Sequence, residues 1–269
     1  MRKLFLLALL VISAAAAKAQ ETYNKDSIDK VVYAELQKDT TRNREDWIGG
    51  LIRATDRVVS NRHFGNLYLR DFMMGQFFRT EFPGSRDIKE YVDAFLNHCD
   101  EDSLRQQIQS EYAGYVKKYG AVFPGKPAPD FTFYDAKGKV HRLSELKGQM
   151  LFIDIWGTWC GPCIEEIPYL KALQAKYGKD KRVKIMSIAC DKTDPKWKAF
   201  LQKRKDDMTW SQYRVTPEGD KVLDDVYHVY GIPRFMLIDK NGIIIDSDTA
   251  RPSMKDYFPK MFEEQLSKF

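Results

Sequence analysis

One segment constrains the architecture more than any other. Seven almost continuously apolar residues, Met150 to Trp156, run into Gly157-Thr158-Trp159-Cys160-Gly161-Pro162-Cys163. A short unbroken apolar run is the pattern of a strand covered on both faces, and such strands belong to sheets flanked by helices. Two cysteines separated by two residues, directly after that strand and opening a helix, put Cys160 at the helix N-terminus and Cys163 one turn in, on the same side. The unpaired N–H groups and the dipole at that end favour negative charge, so Cys160 is expected to be the attacking thiolate. Pro162 fits the first turn, which needs no donor there. Cys163, deeper in the helix, is expected to act second and to displace the partner from a mixed disulfide.

The residues around this segment read as alternating strands and helices. Phe131 to Tyr134 and Val140 to Leu143 flank Asp135-Ala136-Lys137-Gly138 as a hairpin. After the cysteine helix, which should reach Tyr177, come a strand from Val183 to Ala189, a helix from Asp194 to Lys203 and a strand around Trp210. A short helix from Asp224 to Val229, a hairpin of Arg234 to Asp239 with Ile243 to Asp248, and a helix from Lys255 to Ser267 complete an α/β sheet with helices on both faces. Upstream the regime differs. From Asp26 to about Lys118 apolar residues recur at helical spacing, as in Ile28, Val31 and Val32 or Leu104, Ile108 and Tyr112, with Ser103 and Gln106 as a capping box and Pro83-Gly84-Ser85 as a break. The Pro- and Gly-rich stretch from Val122 to Pro129 marks the boundary. Three parts are therefore expected: residues 1–19, an all-helical domain over 20–121 and an α/β domain over 122–269.

Residues 1–19 carry Arg2 and Lys3, an apolar run from Leu4 to Ala17 and the small-residue site Ala17-Lys18-Ala19, the order of a secretory signal peptide; an uncleaved N-terminal anchor is the alternative. Loss of Arg2, Lys3 and Lys18 takes the formal charge from +5 to +2, and the remaining Lys and Arg interleave with Asp and Glu. No basic stripe is left for nucleic acid. An exported chain meets an oxidising compartment, yet four cysteines, at 99, 160, 163 and 190, are too few for a disulfide scaffold. Cys99 and Cys190 are isolated, and His63, His98, His141 and His228 have no ligand spacing with them, so no metal site is expected. Cys190, closing a buried strand, reads as an inert apolar residue, and a Cys99–Cys190 disulfide is left open.

Trp159-Cys160-Gly161-Pro162-Cys163 resembles the active site of thioredoxin. Lys126-Pro127-Ala128-Pro129-Asp130-Phe131, the Gly138-Lys139 turn, Leu143 to Gly148 and Cys163-x-x-Glu166-x-Pro168 resemble the exported TlpA/ResA-like branch of the thioredoxin superfamily. The likeness covers about 123–269. It implies a thioredoxin-like fold, a central mixed sheet with helices on both faces, preceded here by the helical domain. It also implies that Asp154 is a buried carboxylate of raised pKa that takes the proton of Cys163, and that Gly231-Ile232-Pro233 is the cis-proline loop whose backbone pairs with substrate. Trp159, Gly161, Pro162, Ile232 and Pro233 are then the substrate-binding surface, Trp156 and Trp159 pack the active-site face, and Glu166 tunes the cysteines electrostatically. Arg234 departs from thioredoxin, which has a small polar residue there.

The activity so implied is thiol-disulfide exchange in the periplasm with no cofactor beyond the redox-active Cys160/Cys163 pair. Gly-Pro between the cysteines resembles the reducing end of the family, which favours a reductase of exported protein disulfides, fed by a membrane thiol electron donor, with cytochrome c apoproteins as one implied substrate class. A non-catalytic binding or assembly module is the rival, as is a thiol peroxidase. The peroxidatic Thr-x-x-Cys is missing, since Gly157 stands three residues before Cys160.

Overall fold

The computed structural model describes residues 23–38, 47–78 and 88–268. The expected signal peptide and the Pro83-Gly84-Ser85 break lie outside the described residues. Among the described residues, no helix is long and apolar enough to cross a membrane. The chain divides into two compact units, and the division falls inside a helix, after Tyr115.

The first unit is helical: α1 (Lys25–Leu36), α2 (Trp47–Val58), α3 (Arg62–Met73, continued by a π-helical turn, Met74–Phe78), α4 (Lys89–His98) and α5 (Asp102–Tyr119). Asn24 and Asn61 cap α1 and α3 by accepting the N–H of Ser27 and Phe64. The stripes Ile28, Val31, Val32 and Leu51, Ala54 are buried, as are Leu69, Met73, Phe95 and Ile108. Gly49-Gly50 does not interrupt α2. Ser103 stands inside the first turn of α5, because that helix opens at Asp102 and not at a Ser103 cap.

The second unit is the α/β one. Its strands are β1 (Thr132–Tyr134), β2 (Val140–Arg142), β3 (Met150–Trp156), β4 (Val183–Ala189), β5 (Ser211–Val215), β6 (Arg234–Ile238) and β7 (Ile244–Asp246), in the order β2-β1-β5-β4-β3-β6-β7. β3, β4 and β5 run parallel, and β1, β2, β6 and β7 pair antiparallel. Helices α6 (Gly161–Tyr177), α7 (Asp194–Lys203), α8 (Pro217–Asp225) and α9 (Phe258–Ser267) complete it. This is the mixed sheet with helices on both faces that the sequence implies. All seven residues of β3 are buried, because it lies between β4 and β6 with both faces covered. Met150, Phe152 and Trp156 pack with Ile167 and Leu170 of α6, Trp197 of α7 and Phe262 of α9. The alternate residues Leu151, Ile153 and Ile155 pack with Leu223 of α8 and Phe133 of β1.

Two elements sit earlier in sequence or start later than their apolar patterns suggest. The helix expected over Asp224 to Val229 is α8, ending at Asp225. Thr216 caps it by accepting the Gly219 N–H at 3.0 Å, and Pro217 occupies its first turn. The closing helix starts at Phe258, with Pro259 in its first turn, not at Lys255. Trp210 precedes β5 and is buried.

Candidate active site

The site forms where β3 ends and α6 begins. The Cys160 N–H bonds the Gly157 carbonyl at 3.0 Å, turning the chain sharply after the strand. Asp191, buried just beyond β4, accepts the backbone N–H of Thr158 at 2.9 Å and its hydroxyl at 2.5 Å, so the turn is clamped from the neighbouring strand end. A Cβ at Gly157 would come within 2.9 Å of the Trp159 indole, so the glycine lets that ring lie back over the turn. Trp159 is 68% exposed, whereas Trp156 is buried in one cluster with both cysteines.

Cys160 is the N-cap of α6, with extended backbone, and its sulfur accepts the Cys163 N–H at 3.2 Å. Pro162 lies in the first turn, where no N–H is needed. The two sulfurs are joined in a disulfide, their Cα atoms 5.3 Å apart. Both are largely covered, Cys160 6% exposed and Cys163 3%, while Gly161 and Pro162 are exposed. The Ile232–Pro233 peptide is cis, and the Ile232 carbonyl oxygen lies 3.6 Å from the Cys160 sulfur. Neither sulfur carries hydrogen in the disulfide, so that approach is a packing contact; a reduced Cys160 thiol could donate to the same oxygen. Arg234, next to Pro233, is buried and reaches the carbonyls of Ser247 and His228 and the carboxylate of Asp248, tying the loop to the β7 side of the sheet.

Asp154 is 3% exposed and lies on an interior strand, not an edge. Strand alternation gives it the face of Phe152 and Trp156, toward the cysteines and α6. Its register partner on β4 is Ser187, whose hydroxyl donates to it at 2.8 Å and in turn accepts the Trp210 indole N–H at 2.7 Å. Burial pushes the Asp154 carboxyl up to about 7; the Ser187 bond opposes this and the charge of Glu166 adds to it. Glu166, one turn beyond Cys163, is 4% exposed, and it accepts both the N–H of Ser253 at 3.1 Å and its hydroxyl at 2.6 Å. Ser187, Trp210, Asp191 and Ser253 are supporting residues that no local sequence signal marks, since each meets its partner through the tertiary fold.

A disulfide at a helix N-terminus, with a carbonyl facing it and a carboxyl raised by burial on the strand beneath, is an arrangement suited to thiol-disulfide exchange. The two remaining cysteines are both free. Burial raises the thiol of Cys99 and pushes that of Cys190 up to about 12, so neither is a ready thiolate at neutral pH. Among the described residues, no three His, Cys, Asp or Glu side chains gather as a metal site would need.

The Redoxin family model matches residues 123–260, within the α/β unit. Thiol-disulfide oxidoreductase ResA of Bacillus cereus is 33% identical over 153 residues, which cover 56% of this chain and 85% of that relative. ResA of Bacillus subtilis is 33% identical over 134 residues, covering 47% and 72%. Among solved structures, the thioredoxin domain of a thiol-disulfide oxidoreductase from Bacteroides vulgatus is similar at 27% identity and a TM-score of 0.45, over 51% of this chain and 96% of that one.

Proposed function

Since the chain belongs to the Redoxin family, as a TlpA/ResA-like thiol-disulfide oxidoreductase of the thioredoxin superfamily, we propose that it reduces disulfides of exported proteins in the periplasm. The observation that carries this reading is the Cys160–Cys163 pair at the start of α6, opposite the Ile232 carbonyl and above the buried Asp154. The reduced Cys160 thiolate, favoured by the helix N-terminus, attacks a substrate disulfide, and one substrate sulfur leaves as a thiol. Cys163 gives its proton to Asp154, attacks the mixed disulfide and releases the second substrate thiol, leaving the Cys160–Cys163 disulfide. Two electrons thus pass from the pair to the substrate. The exposed Trp159, Gly161 and Pro162 and the Ile232-Pro233 loop form the surface on which an extended substrate segment lies.

Gly161-Pro162 matches the spacer of thioredoxin, whose potential is strongly reducing. A reductase in an oxidising compartment must be recharged, which requires a membrane thiol donor; cytochrome c apoproteins are one substrate class open to such an enzyme. Acid quench of growing cells, followed by alkylation with a mass-tagged maleimide, tests the direction. The reductase reading expects the Cys160/Cys163 pair largely reduced. A largely oxidised pair means the protein works as an oxidase.

A further inference from the structure

Among the described residues, the two most exposed large apolar side chains of the α/β unit are Trp159 and Tyr230, at 68% and 56%. Both stand on segments that meet at Cys160. Trp159 adjoins it in the turn, and Tyr230 is two residues from Ile232, whose carbonyl oxygen lies 3.6 Å from the Cys160 sulfur. Exposed rings gathered at one place mark a surface that another molecule covers. We propose that Tyr230 is a specificity-determining residue, which selects substrate disulfides flanked by apolar or aromatic side chains. The inference rests on the reading of the Ile232-Pro233 loop as a substrate-binding edge.

Tyr230 is turned out of the fold and held there. Tyr227, His228 and Val229 before it are buried. The His228 backbone takes the left-handed region, φ 53°, which few residues other than glycine adopt, and its carbonyl accepts the Tyr230 N–H at 3.0 Å. Burial lowers the pKa of His228, so at neutral pH its ring carries one N–H. Nε2 faces the Lys118 carbonyl at 3.1 Å, an acceptor only, so the hydrogen is there and Nδ1 accepts the Tyr230 hydroxyl at 2.8 Å. The Tyr119 ring packs edge-on against His228 at 4.8 Å. An aromatic ring fixed before binding loses little freedom when a partner lies against it. Two extended residues span roughly 7 Å, so a peptide paired with the Ile232 backbone brings the side chain two positions from its cysteine to the Tyr230 ring. That side chain gains by being apolar, since Lys118, a cation that interacts with Tyr230, disfavours a second positive charge there.

The test is single-turnover reduction, by the pre-reduced full chain, of symmetrical disulfides of short peptides with one cysteine each. Phenylalanine, serine or lysine stands two residues to either side of that cysteine, and acid-quenched samples are resolved by chromatography. The half-saturating concentration reports binding and the limiting rate reports attack. Wild type should half-saturate with the phenylalanine peptide at a concentration roughly two- to tenfold below that for the serine peptide, the range for one aromatic pair, and should not favour lysine over serine. Tyr230→Ala should abolish most of that preference while keeping the limiting rate, and Tyr230→Phe, which keeps the ring, should restore most of it. The proposal is overturned by a wild type that does not distinguish phenylalanine from serine, by a preference for lysine, or by a preference that survives Tyr230→Ala. Equal weakening of every peptide in Tyr230→Ala, or a Tyr230→Phe that behaves like it, would also overturn it, since neither is the loss of an aromatic contact. A wild type that reduces none of the peptides would sink the reductase reading and this inference with it.

Discussion

Replacing Asp154 by asparagine should make the oxidised protein more stable above neutral pH and catalytically worse. Asp154 is buried on β3, and burial lifts its carboxyl from the usual 3.8 to about 7. Below the lower value both folded and unfolded chains hold the proton. Between the two the unfolded chain has released it while the folded protein retains it, so wild-type stability falls as pH rises through this window and levels off above about 7. At about 1.4 kcal/mol per pH unit, the cost of the buried charge is on the order of 4 kcal/mol at pH 8, an upper bound for a site free to relax. Asparagine has no charge to bury, and its carbonyl can still accept the Ser187 hydroxyl that now meets Asp154. Urea unfolding of the oxidised wild type and variant at pH 4 and pH 8 measures this directly. The variant should gain several kcal/mol at pH 8 and almost nothing at pH 4. Equal stabilities at pH 8, or a gain that does not shrink toward pH 4, would refute the account of Asp154 as a strained acid.

The same substitution should slow resolution of the mixed disulfide ~100-fold at pH 7, the lower range for losing a general base, while the first attack by Cys160 keeps its rate; stopped-flow single turnovers with a fluorogenic disulfide separate the two steps. Cys160→Ser should abolish reduction of insulin in the presence of dithiothreitol, since the other thiols outside the pair are held un-ionised by burial. Cys99→Ser with Cys190→Ser should leave that turnover within about twofold of wild type, in keeping with the inert behaviour of buried thiols; a larger loss would move part of the chemistry to one of them.

Much of the α/β unit was legible because its signals are local. The unbroken apolar run of β3 announces an interior strand and Cys160-Gly161-Pro162-Cys163 announces the helix start, whereas the buried place of Asp154 came from the resemblance to thioredoxin. The helix at Pro217–Asp225 starts where Thr216-Pro217 supplies a cap and a first-turn proline, upstream of the Asp224 to Val229 span that apolar spacing suggests. Pro259 offered the same cue for α9. Trp156 and Trp159 separate for a physical reason: the first ends an interior strand facing α6, and the second rides on an exposed turn. What could not be read is the support of the site. Ser253 meets Glu166 across 87 positions, Thr158 meets Asp191 across 33, and Ser187 meets Asp154 through strand register, and none of these pairings leaves a periodic trace in the sequence.

In the proposed mechanism Cys160 is the nucleophile and Cys163 the resolving thiol. Cys163→Ser, reduced and then mixed with a peptide disulfide, should stop at the mixed disulfide, because the nucleophile remains and the resolving sulfur is gone. Mass spectrometry of a proteolytic digest identifies the cysteine that carries the peptide. Stoichiometric adduct is expected on Cys160 and none on Cys99 or Cys190. An adduct located on either of those two residues, or no adduct at all from a folded and fully reduced variant, would contradict it.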